Sequence, residues 1–341
     1  MLRVNMGRYL YRYTITFGFA CQTRKDHTMT KVLITGIAGF IGSSLARGLL
    51  AEGATVRGID NLSTGHIGNL DGIRRRIDFR EADILDAAAM DDACRDVDFV
   101  FHQAAIPSVP KSVDDPIGTH GPNLNGTLIV LEAARKAGVK RLMYAASSAA
   151  YGDSPELPKT EAMLPAPISP YAVQKLAGEH YIASYTHVYG LETVALRYFN
   201  VFGPRQDPAS QYSGVLARFI SQMCKGETPT IFGDGSTSRD FVYIDNVVSA
   251  NLAVAKTSAP VAGKVFNIAT GQRTTLLQAY EEVKRITGYS GSVDFRPERE
   301  GDIKHSLADI SLAKSVFGYR VVADFSEGLE KTIDYYRVAV G

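Results

Sequence analysis

The fold is decided by the stretch Lys31 to Gly42, which reads KVLITGIAGFIG. An apolar run of strand length is followed at once by Gly36, Gly39 and Gly42, and then by a helical pattern from Ser43 to Glu52. Glycines at this spacing allow a tight turn and let backbone N–H groups approach a pyrophosphate, whose charge the helix N-terminus stabilises. The stretch therefore predicts the first strand, turn and helix of a dinucleotide-binding unit.

A second predicted strand, Thr55 to Ile59, ends in Asp60, eighteen residues after Gly42. A carboxylate at this place can accept hydrogen bonds from both ribose hydroxyls of a dinucleotide and would repel a 2′-phosphate. We therefore expect NAD rather than NADP as the cofactor.

Strands and helices continue to alternate along the chain, with a strand at Asp78 to Ala82, a helix at Asp86 to Arg95 and a strand from Asp98 to Ala105. This alternation is typical of parallel strands joined by helical crossovers, which predicts an α/β fold with a Rossmann doubly wound sheet. His102, which has no second histidine or cysteine at ligand spacing, is interpreted as a packed core residue.

A candidate catalytic group follows. Ser147 ends the apolar run Arg141 to Ala146, and Tyr171 and Lys175 lie four residues apart in a later helical pattern. Ser169 is a good helix N-cap and Pro170 suits the first helical position, so Tyr171 and Lys175 should share one helix face. An ammonium beside a phenol favours the phenolate, which could act as a general base. A Tyr and Lys at this spacing also arise by chance, and the glycine turn upstream is what favours the catalytic interpretation.

Composition limits the other function classes. The 341 residues are 45% hydrophobic with a formal net charge of +1, and no five like charges are consecutive, so neither nucleic acid nor a membrane surface is an expected partner. Cys21, Cys94 and Cys224 are too far apart for a zinc site or a disulfide framework, which indicates a reducing cytoplasm and no metal. No apolar run approaches membrane-spanning length. Small molecules or copies of the same chain remain as partners.

The chain divides into three predicted parts. Residues 1–30 are rich in Arg and Tyr and lack an acidic residue before Asp26, as in organelle transit peptides, but we favour a loosely packed extension because Met29 leads directly into the first strand. Residues 31–199 form the predicted Rossmann domain, to which 240–257 would return. Residues 200–341 form the predicted substrate-binding domain, a smaller mixed α/β cap.

The motifs together resemble the extended short-chain dehydrogenases/reductases that act on nucleotide sugars. The resemblance spans residues 31 to 337 and rests on the glycine turn, Asp60-Asn61, Asn123-x-x-Gly126-Thr127, Ser147, Tyr171-x-x-x-Lys175 and Arg197-Tyr-Phe-Asn200. Within that family, the runs Leu196 to Pro208, Phe232 to Asp245 and Arg299 to Ser306 are most similar to UDP-N-acetylglucosamine and UDP-glucose 4-epimerases.

This resemblance implies epimerisation of a UDP-sugar. Tyr171 would take the proton of the sugar 4-hydroxyl with Ser147 as relay, tightly bound NAD would accept the C4 hydride, and the 4-keto sugar would turn over before receiving it back. Lys175 would lower the pKa of Tyr171 and contact the nicotinamide ribose. The two long helices, Asn123 to Ala137 and Pro170 to Val188, resemble those that pair in family dimers, which implies a homodimer.

The resemblance also implies the site residues. The cofactor would contact Gly36, Gly39, Phe40, Ile41, Gly42, Asp60, Asn61, Ser63, Thr64, Gly65, Asp83, Ile84, Gln103, Ala104, Ala105, Asn123, Tyr171, Lys175, Tyr198 and Val201. The UDP-sugar would contact Ser108, Ser147, Ser148, Asn200, Val215, Phe219, Thr230, Ile231, Phe232, Arg239, Arg299, Asp302 and Ser306. Ser306 stands where epimerases limited to plain hexoses carry a tyrosine, so an N-acetylated sugar is expected to fit.

The residues after Ser147 distinguish epimerisation from two other reactions of the family. Family 4,6-dehydratases carry an Asp-Glu pair after the serine and decarboxylases keep a glutamate there, whereas this chain has Ser148 and Ala149. UDP-uronate epimerisation stays open. A non-catalytic dinucleotide sensor is the alternative from another class, since a fold does not determine a function, but a sensor would not need Ser147, Tyr171 and Lys175.

Overall fold

The computed structural model describes residues 31–208, 214–298 and 303–340. The predicted extension 1–30 lies outside them. In chain order the strands are β1 (Lys31–Thr35), β2 (Thr55–Asp60), β3 (Ile77–Glu81), β4 (Phe99–His102), β5 (Arg141–Ser147), β6 (Glu192–Tyr198), β7 (Asn200–Phe202), β8 (Thr230–Phe232), β9 (Ser238–Arg239), β10 (Phe241–Tyr243), β11 (Lys264–Ile268), β12 (Thr274–Thr275) and β13 (Asp294–Arg296).

The helices alternate with these strands. They are α1 (Phe40–Ala51), α2 (Ala87–Cys94), α3 (Val109–Asp114), α4 (Pro116–His120), α5 (Gly126–Lys136), α6 (Pro170–Tyr189), α7 (Val215–Cys224), α8 (Ile244–Lys256), α9 (Leu276–Thr287), α10 (Ser311–Phe317) and α11 (Phe325–Val340). Short 3₁₀ turns lie at Ile67–Leu70, Arg74–Arg76 and Ser148–Tyr151, and a π turn at Gly121–Asn125. None of the helices in the described ranges is both long and apolar enough to cross a bilayer.

Seven strands form one parallel sheet in the order β3-β2-β1-β4-β5-β6-β11. The strand order reverses between β1 and β4, which is the switch point where ligands bind in open α/β sheets. The predicted Rossmann-type fold is therefore confirmed.

Alternate residues of the strands pack on opposite faces of the sheet, as period-two geometry requires. On one face, Val32 and Ile34 join a core that α1 and α8 cover and that continues into the cap. On the other face, Leu33 and Tyr144 join a core that α2, α5 and α6 cover. The strands are therefore buried on both sides, which explains why the sequence reads as short apolar runs rather than as alternating ones.

The cap contains short paired strands and the helices α7 and α9. Strands β7, β8 and β9 pair with β10, β13 and β12 respectively, and Phe219 of α7 contacts the ring of Tyr280 of α9 edge-on at 6.3 Å between centroids. The fully buried Asp240 ties the cap to the sheet, because its carboxylate accepts hydrogen bonds from Thr270, Gly271 and Ala308.

Three boundaries differ from the sequence-based expectation. Helix α1 begins at Phe40 rather than Ser43, because Gly39 already has the extended conformation of an N-cap. The helix expected from Asn123 to Ala137 starts with a π turn, and its α-helical part is α5. Strand β11, which the sequence assigned to the substrate-binding part, is the edge strand beside β6. Helix α8, within 240–257, packs on α1, where a Cβ on Gly48 would lie 2.6 Å from Val248.

The contact of α6 with β5 leads to a first prediction. A Cβ at Gly178 would lie 2.3 Å from the Tyr144 hydroxyl oxygen and 2.7 Å from the ring carbon that carries it. Gly178→Ala should therefore lower the free energy of unfolding by about 1–3 kcal/mol, measured by urea denaturation. Tyr144→Phe in the same background should restore part of the loss, because it removes the nearest atom. Equal stability of Gly178→Ala and wild type would contradict this packing.

Candidate active site

A cleft of about 940 Å³ opens at the carboxyl ends of the sheet strands. Its walls come from the glycine turn after β1, the loops after β2 and β3, the segment after β4, the end of β5 with the start of α6, and the segment after β6. This is the position that the switch point of the sheet predicts for a ligand.

The glycine turn is shaped by two close approaches. Gly36 has φ +69°, a left-handed conformation that favours glycine, and a Cβ there would lie 2.8 Å from the backbone of Ala104. A Cβ on Gly42 would lie 2.1 Å from the Gly36 carbonyl oxygen. No side chain caps the first amides of α1. The turn thus leaves a helix N-terminus open to an anion, as a pyrophosphate requires.

Asp60 holds this turn against the end of β2. Its carboxylate accepts hydrogen bonds from the backbone N–H of Ala38 at 2.9 Å and of Leu62 at 2.8 Å. Only 7% of the residue is exposed, and burial raises the pKa of its carboxyl although both bonds oppose the shift. Asp60 therefore shapes the binding loop, besides the contact with a ribose that the sequence predicts.

Asn61 and Asp83 join the loops after β2 and β3 on the rim beside Asp60. The Asn61 amide donates to the Asp83 carboxylate at 2.7 Å, and the Ser63 hydroxyl donates to the Asn61 side-chain oxygen at 2.7 Å. These bonds orient polar groups beside Asp60, at the end of the cleft where the sequence predicts a ribose of the dinucleotide.

Ser147, Tyr171 and Lys175 line one part of the cleft. Helix α6 starts as predicted, because the Ser169 hydroxyl accepts a hydrogen bond from the N–H of Ala172 and Pro170 occupies the first turn. The backbone N–H of Tyr171 donates to the buried Ser112 hydroxyl at 3.0 Å. Helix α3 thereby fixes the start of α6.

Burial dominates the electrostatics of Tyr171 and Lys175. Burial raises the pKa of Tyr171, and a hydrogen bond with Ser147 opposes that shift only in part. Burial also lowers the pKa of Lys175 to about 8, against the attraction of Glu179. The Lys175 ammonium donates to the Ala145 carbonyl at 2.9 Å. Burial is therefore the largest effect on the pKa of Tyr171 in the protein alone, and the lowering of this pKa by Lys175 stays a prediction.

A group of hydrogen-bonded polar side chains lies in and behind the cleft wall. The Gln103 amide donates to the Tyr198 hydroxyl at 3.3 Å, and the Asn251 amide donates to the same oxygen at 2.8 Å. The side-chain oxygen of Gln103 is buried in the cleft wall without a partner among the described residues. A buried acceptor without a donor is costly, so this atom suits a ligand that brings a donor, such as a carboxamide. Together with the glycine turn and Asp60, it makes the residues fit a dinucleotide.

The predicted cofactor residues lie together, with one exception. The cleft wall contains Gly36, Gly39, Phe40, Ile41, Gly42, Asp60, Asn61, Ser63, Thr64, Gly65, Asp83, Ile84, Gln103, Ala104, Ala105, Tyr171, Lys175, Tyr198 and Val201. Asn123 does not line it: the fully buried side chain binds the backbone of Ile106 and the amide of Gln174. It acts as a brace between the segment after β4 and α6.

The predicted substrate residues are less concentrated. Ser108, Ser147, Ser148 and Asn200 line the cleft. Val215, Thr230, Phe232, Arg239 and Ser306 lie in the cap outside its wall, and the side chains of Phe219 and Ile231 are core residues with 1% and 0% exposure. Arg299 and Asp302 lie outside the described residues. His102 is a core residue as predicted: it contacts the hydroxyls of Thr35 and Thr127, and burial lowers its pKa to about 3.

Several lining residues were not predicted, and Arg205 stands out among them. It has φ +70°, which is rare for a residue with a side chain, and its guanidinium donates to the Ser44 hydroxyl of α1 at 3.0 Å. His66 and Asp207 approach each other to 3.5 Å between facing parts of the cleft. The other unpredicted polar lining residues are Asn69, Lys111 and Gln206. The sequence feature that could have indicated a role for Arg205 is the polar Gly-Pro-Arg-Gln-Asp run that follows β7.

Within residues 31–208, 214–298 and 303–340, no group of three His, Cys, Asp or Glu side chains is arranged to hold a metal ion.

Comparison with known proteins points in one direction. A family model described as "NAD dependent epimerase/dehydratase family" matches residues 32–269. A UDP-glucose 4-epimerase of Mycolicibacterium smegmatis is 38% identical over 312 residues, which cover 90% of this chain and 98% of that protein.

Solved structures are similar over the same range. A UDP-N-acetylglucosamine 4-epimerase from Methanobrevibacter ruminantium, in complex with UDP-N-acetylmuramic acid, superposes with a TM-score of 0.87 at 38% identity, covering 92% of this chain and all of that one. A UDP-glucose 4-epimerase from Thermus thermophilus in complex with NAD has a TM-score of 0.83 at 38% identity, covering 91% of this chain and all of that one.

The glycine turn can be tested with a matched pair of substitutions. Gly36→Ala should bind NAD at least about tenfold more weakly, because its Cβ would collide with the Ala104 backbone and strain the turn. Gly53→Ala is the control, since Gly53 has φ +81° but no atom within 4 Å of an added Cβ. NAD per chain is measured by chromatography after heat release. Equal NAD content in the two variants would exclude a special role for the turn.

The buried lysine leads to a pH-dependent prediction. Burial lowers the pKa of Lys175 from 10.5 to about 8, so between these values the unfolded protein binds more protons and wild-type stability rises with pH. Lys175→Met removes the buried charge and should raise the free energy of unfolding by about 2 kcal/mol at pH 7. Urea denaturation of both proteins, freed of NAD, should show this difference narrowing between pH 8 and pH 10. A difference independent of pH would contradict the burial argument.

Proposed function

The chain belongs to the NAD-dependent epimerase/dehydratase family, so it is an enzyme that uses NAD, and from this premise we propose that it is a UDP-sugar 4-epimerase whose substrates are UDP-N-acetylglucosamine and UDP-N-acetylgalactosamine. The observation that carries the proposal is the placement of Ser147, Tyr171 and Lys175 on one wall of the cleft that holds the glycine turn.

Residues of the cleft and of the cap would divide between the two ligands. The open N-terminus of α1 would hold the pyrophosphate of the dinucleotide, Asp60 its adenosine ribose, and Gln103 its carboxamide. When bound, NAD supplies an oxidised nicotinamide that takes the C4 hydride and gives it back, and whose positive charge favours ionisation of Tyr171. Asn200 and Arg239 would hold the UDP diphosphate, since amide and guanidinium donors suit phosphate oxygens.

Tyr171 is the proposed general base. Its hydroxyl is hydrogen-bonded to Ser147, so a proton taken from the sugar 4-hydroxyl could be shared between the Tyr171 and Ser147 oxygens. Lys175 lies one helical turn further along α6, and its ammonium would stabilise the ionised tyrosine. The same groups return the proton once the planar 4-keto sugar has presented its other face, so no net oxidation occurs.

The residues after Ser147 favour epimerisation over elimination. Loss of water from the sugar needs a further acid and base, and the 3₁₀ turn Ser148–Tyr151 places Ser148 and Ala149 there instead. Ser147 is also held by the turn, because its hydroxyl accepts a hydrogen bond from the N–H of Ala149 at 3.2 Å.

The preference for an N-acetylated sugar rests on Ser306. It is half-buried, and its N–H donates to the Ser238 carbonyl, which brings the segment 303–310 beside β9. A serine in place of a tyrosine leaves space for an acetamido group at C2. Space alone does not reject a smaller sugar, so UDP-glucose and UDP-galactose are the second pair that we expect to react.

We also propose that the protein is a homodimer. Helices α4 and α6 expose Ile117 at 85% and Val173 at 52%, and Leu164 and Ile168 are exposed nearby in sequence. Exposed apolar side chains in such number mark association sites. The two long helices α5 and α6, which are the ones expected to pair, could form a four-helix bundle with their counterparts in a second copy.

The assay is a substrate panel without added cofactor. The purified protein is incubated with UDP-N-acetylglucosamine, UDP-glucose and UDP-glucuronate, and the galacto epimers are followed by NMR. We expect the N-acetylated sugar to react fastest and Tyr171→Phe to lose at least about 100-fold in kcat while keeping bound NAD. Tyr289→Phe, which removes a tyrosine hydroxyl outside the cleft, is the matched control. Unchanged turnover in Tyr171→Phe would remove this tyrosine from the mechanism, and preference for glucuronate would overturn the substrate assignment.

A further inference from the structure

Helix α6 carries three ionisable side chains four residues apart, Tyr171, Lys175 and Glu179. This spacing places them on one face, each beside the next. Lys175 and Glu179 are 3% and 4% exposed, so their mutual attraction is little screened by water. Glu179 has no place in the proposed chemistry, because it lies two turns beyond the tyrosine and does not line the cleft.

Glu179 is held by a buried arginine from the neighbouring strand. The guanidinium of Arg197, in β6, donates to the two carboxylate oxygens at 2.9 and 2.7 Å, and both side chains are 4% exposed. Arg197 also lies over the ring of Tyr151 at 4.6 Å, and its remaining guanidinium nitrogen, Nη1, has no partner among the described residues. The carboxylate therefore stands between two buried cations, Lys175 and Arg197.

The groups that face Lys175 come from three elements. Tyr171 and Glu179 lie on α6 itself, Tyr144 of β5 presents its ring 4.9 Å from the ammonium, and His102 of β4 lies close enough for the lysine to lower its pKa. His102 is neutral at ordinary pH, since burial lowers its pKa to about 3. Tyr144 is neutral as well, because burial raises its pKa well above 10. Among these facing groups, Glu179 supplies the one carboxylate.

We propose that Glu179 is a positioning residue that keeps the Lys175 ammonium charged inside the protein, and that Arg197 fixes the carboxylate at the distance where it does so. Without the carboxylate, two cations would share a buried region, and the lysine would lose its proton at a lower pH. The electrostatic part stands on the fold alone, and its meaning for catalysis rests on the function proposed above.

Strands β5 and β6 contain a second arginine–glutamate pair, which serves as a control. Arg141 of β5 donates to Glu192 of β6 at 3.0 and 2.8 Å, and its other nitrogen contacts the carbonyls that end α8. This pair lies at the amino ends of the strands, away from the cleft. Glu192→Gln therefore removes a carboxylate from an arginine pair without changing the surroundings of Lys175.

The test measures Lys175 directly. Protein labelled with ¹³C at the lysine Cε is titrated by NMR with its bound NAD, and the Lys175 signal is the one that the Lys175→Met spectrum lacks. In Glu179→Gln we expect the titration midpoint to fall by about one pH unit or more relative to wild type. In Glu192→Gln we expect no shift. An unchanged midpoint in Glu179→Gln, or an equal shift in both variants, would overturn the proposal and leave Glu179 a structural residue.

Two further variants test the proposal if Glu179→Gln alone does not fold. Arg197→Gln leaves the carboxylate without its partner and should move the Lys175 midpoint in the opposite direction, to higher pH. The double variant Glu179→Gln with Arg197→Gln leaves neither charge unpaired, and its midpoint should still fall below that of wild type because the carboxylate that attracts the ammonium is lost. A fall of the midpoint in Arg197→Gln would contradict the assigned geometry.

Turnover gives a separate measurement. If Lys175 must be charged for catalysis, the alkaline limb of the kcat profile should move to lower pH in Glu179→Gln and stay in place in Glu192→Gln. A shifted NMR midpoint with no epimerisation by wild type would support the inference and overturn the proposed function. Epimerisation with an unshifted midpoint would do the reverse.

Discussion

The close packing of α6 on β5 is the constraint on which the rest of the structure depends. Gly178 lets the helix lie against Tyr144, and at this separation the Lys175 ammonium reaches the Ala145 carbonyl in the strand. The start of the helix is fixed from its other side by Ser112 of α3. The helix is thereby held by both the sheet and α3. The hydrogen bond between Tyr171 and Ser147 in the cleft wall therefore rests on packed elements rather than on a loop.

This arrangement requires buried charge, which costs stability unless it is paired. Asp60 is satisfied by two backbone amides, the Glu179–Arg197 pair is bidentate, and Lys175 has one carbonyl and one nearby carboxylate. The large cores on both faces of the sheet offset the free-energy cost of burying these charges. Function and fold therefore compete most directly at Lys175, where burial opposes the charge that catalysis would use.

The residues proposed for the chemistry and those proposed for selectivity lie in different parts of the molecule. The residues proposed to bind a dinucleotide and to move a proton project from a parallel sheet packed on both faces, whereas Arg239 and Ser306 lie on short strands and loops of the cap. Asp240 joins the two, because its carboxylate binds backbone groups on either side of the cap segment. A cap with short elements can vary its pocket while the sheet keeps its geometry, which is how one reaction serves several sugars in a family.

The sequence by itself determined the Rossmann sheet, the glycine turn, Asp60 and the grouping of Ser147, Tyr171 and Lys175, because short apolar runs, glycine spacing and helix caps are local signals. It could not show that β11 closes the edge of the sheet, that Asn123 is a brace rather than a ligand residue, or that Arg205 enters the cleft, since each depends on contacts between distant segments. Nor could the sequence show that burial raises the pKa of Tyr171. A pair of residues four apart indicates attraction, but only the tertiary structure decides how much water is lost around them, and here that loss is the larger effect.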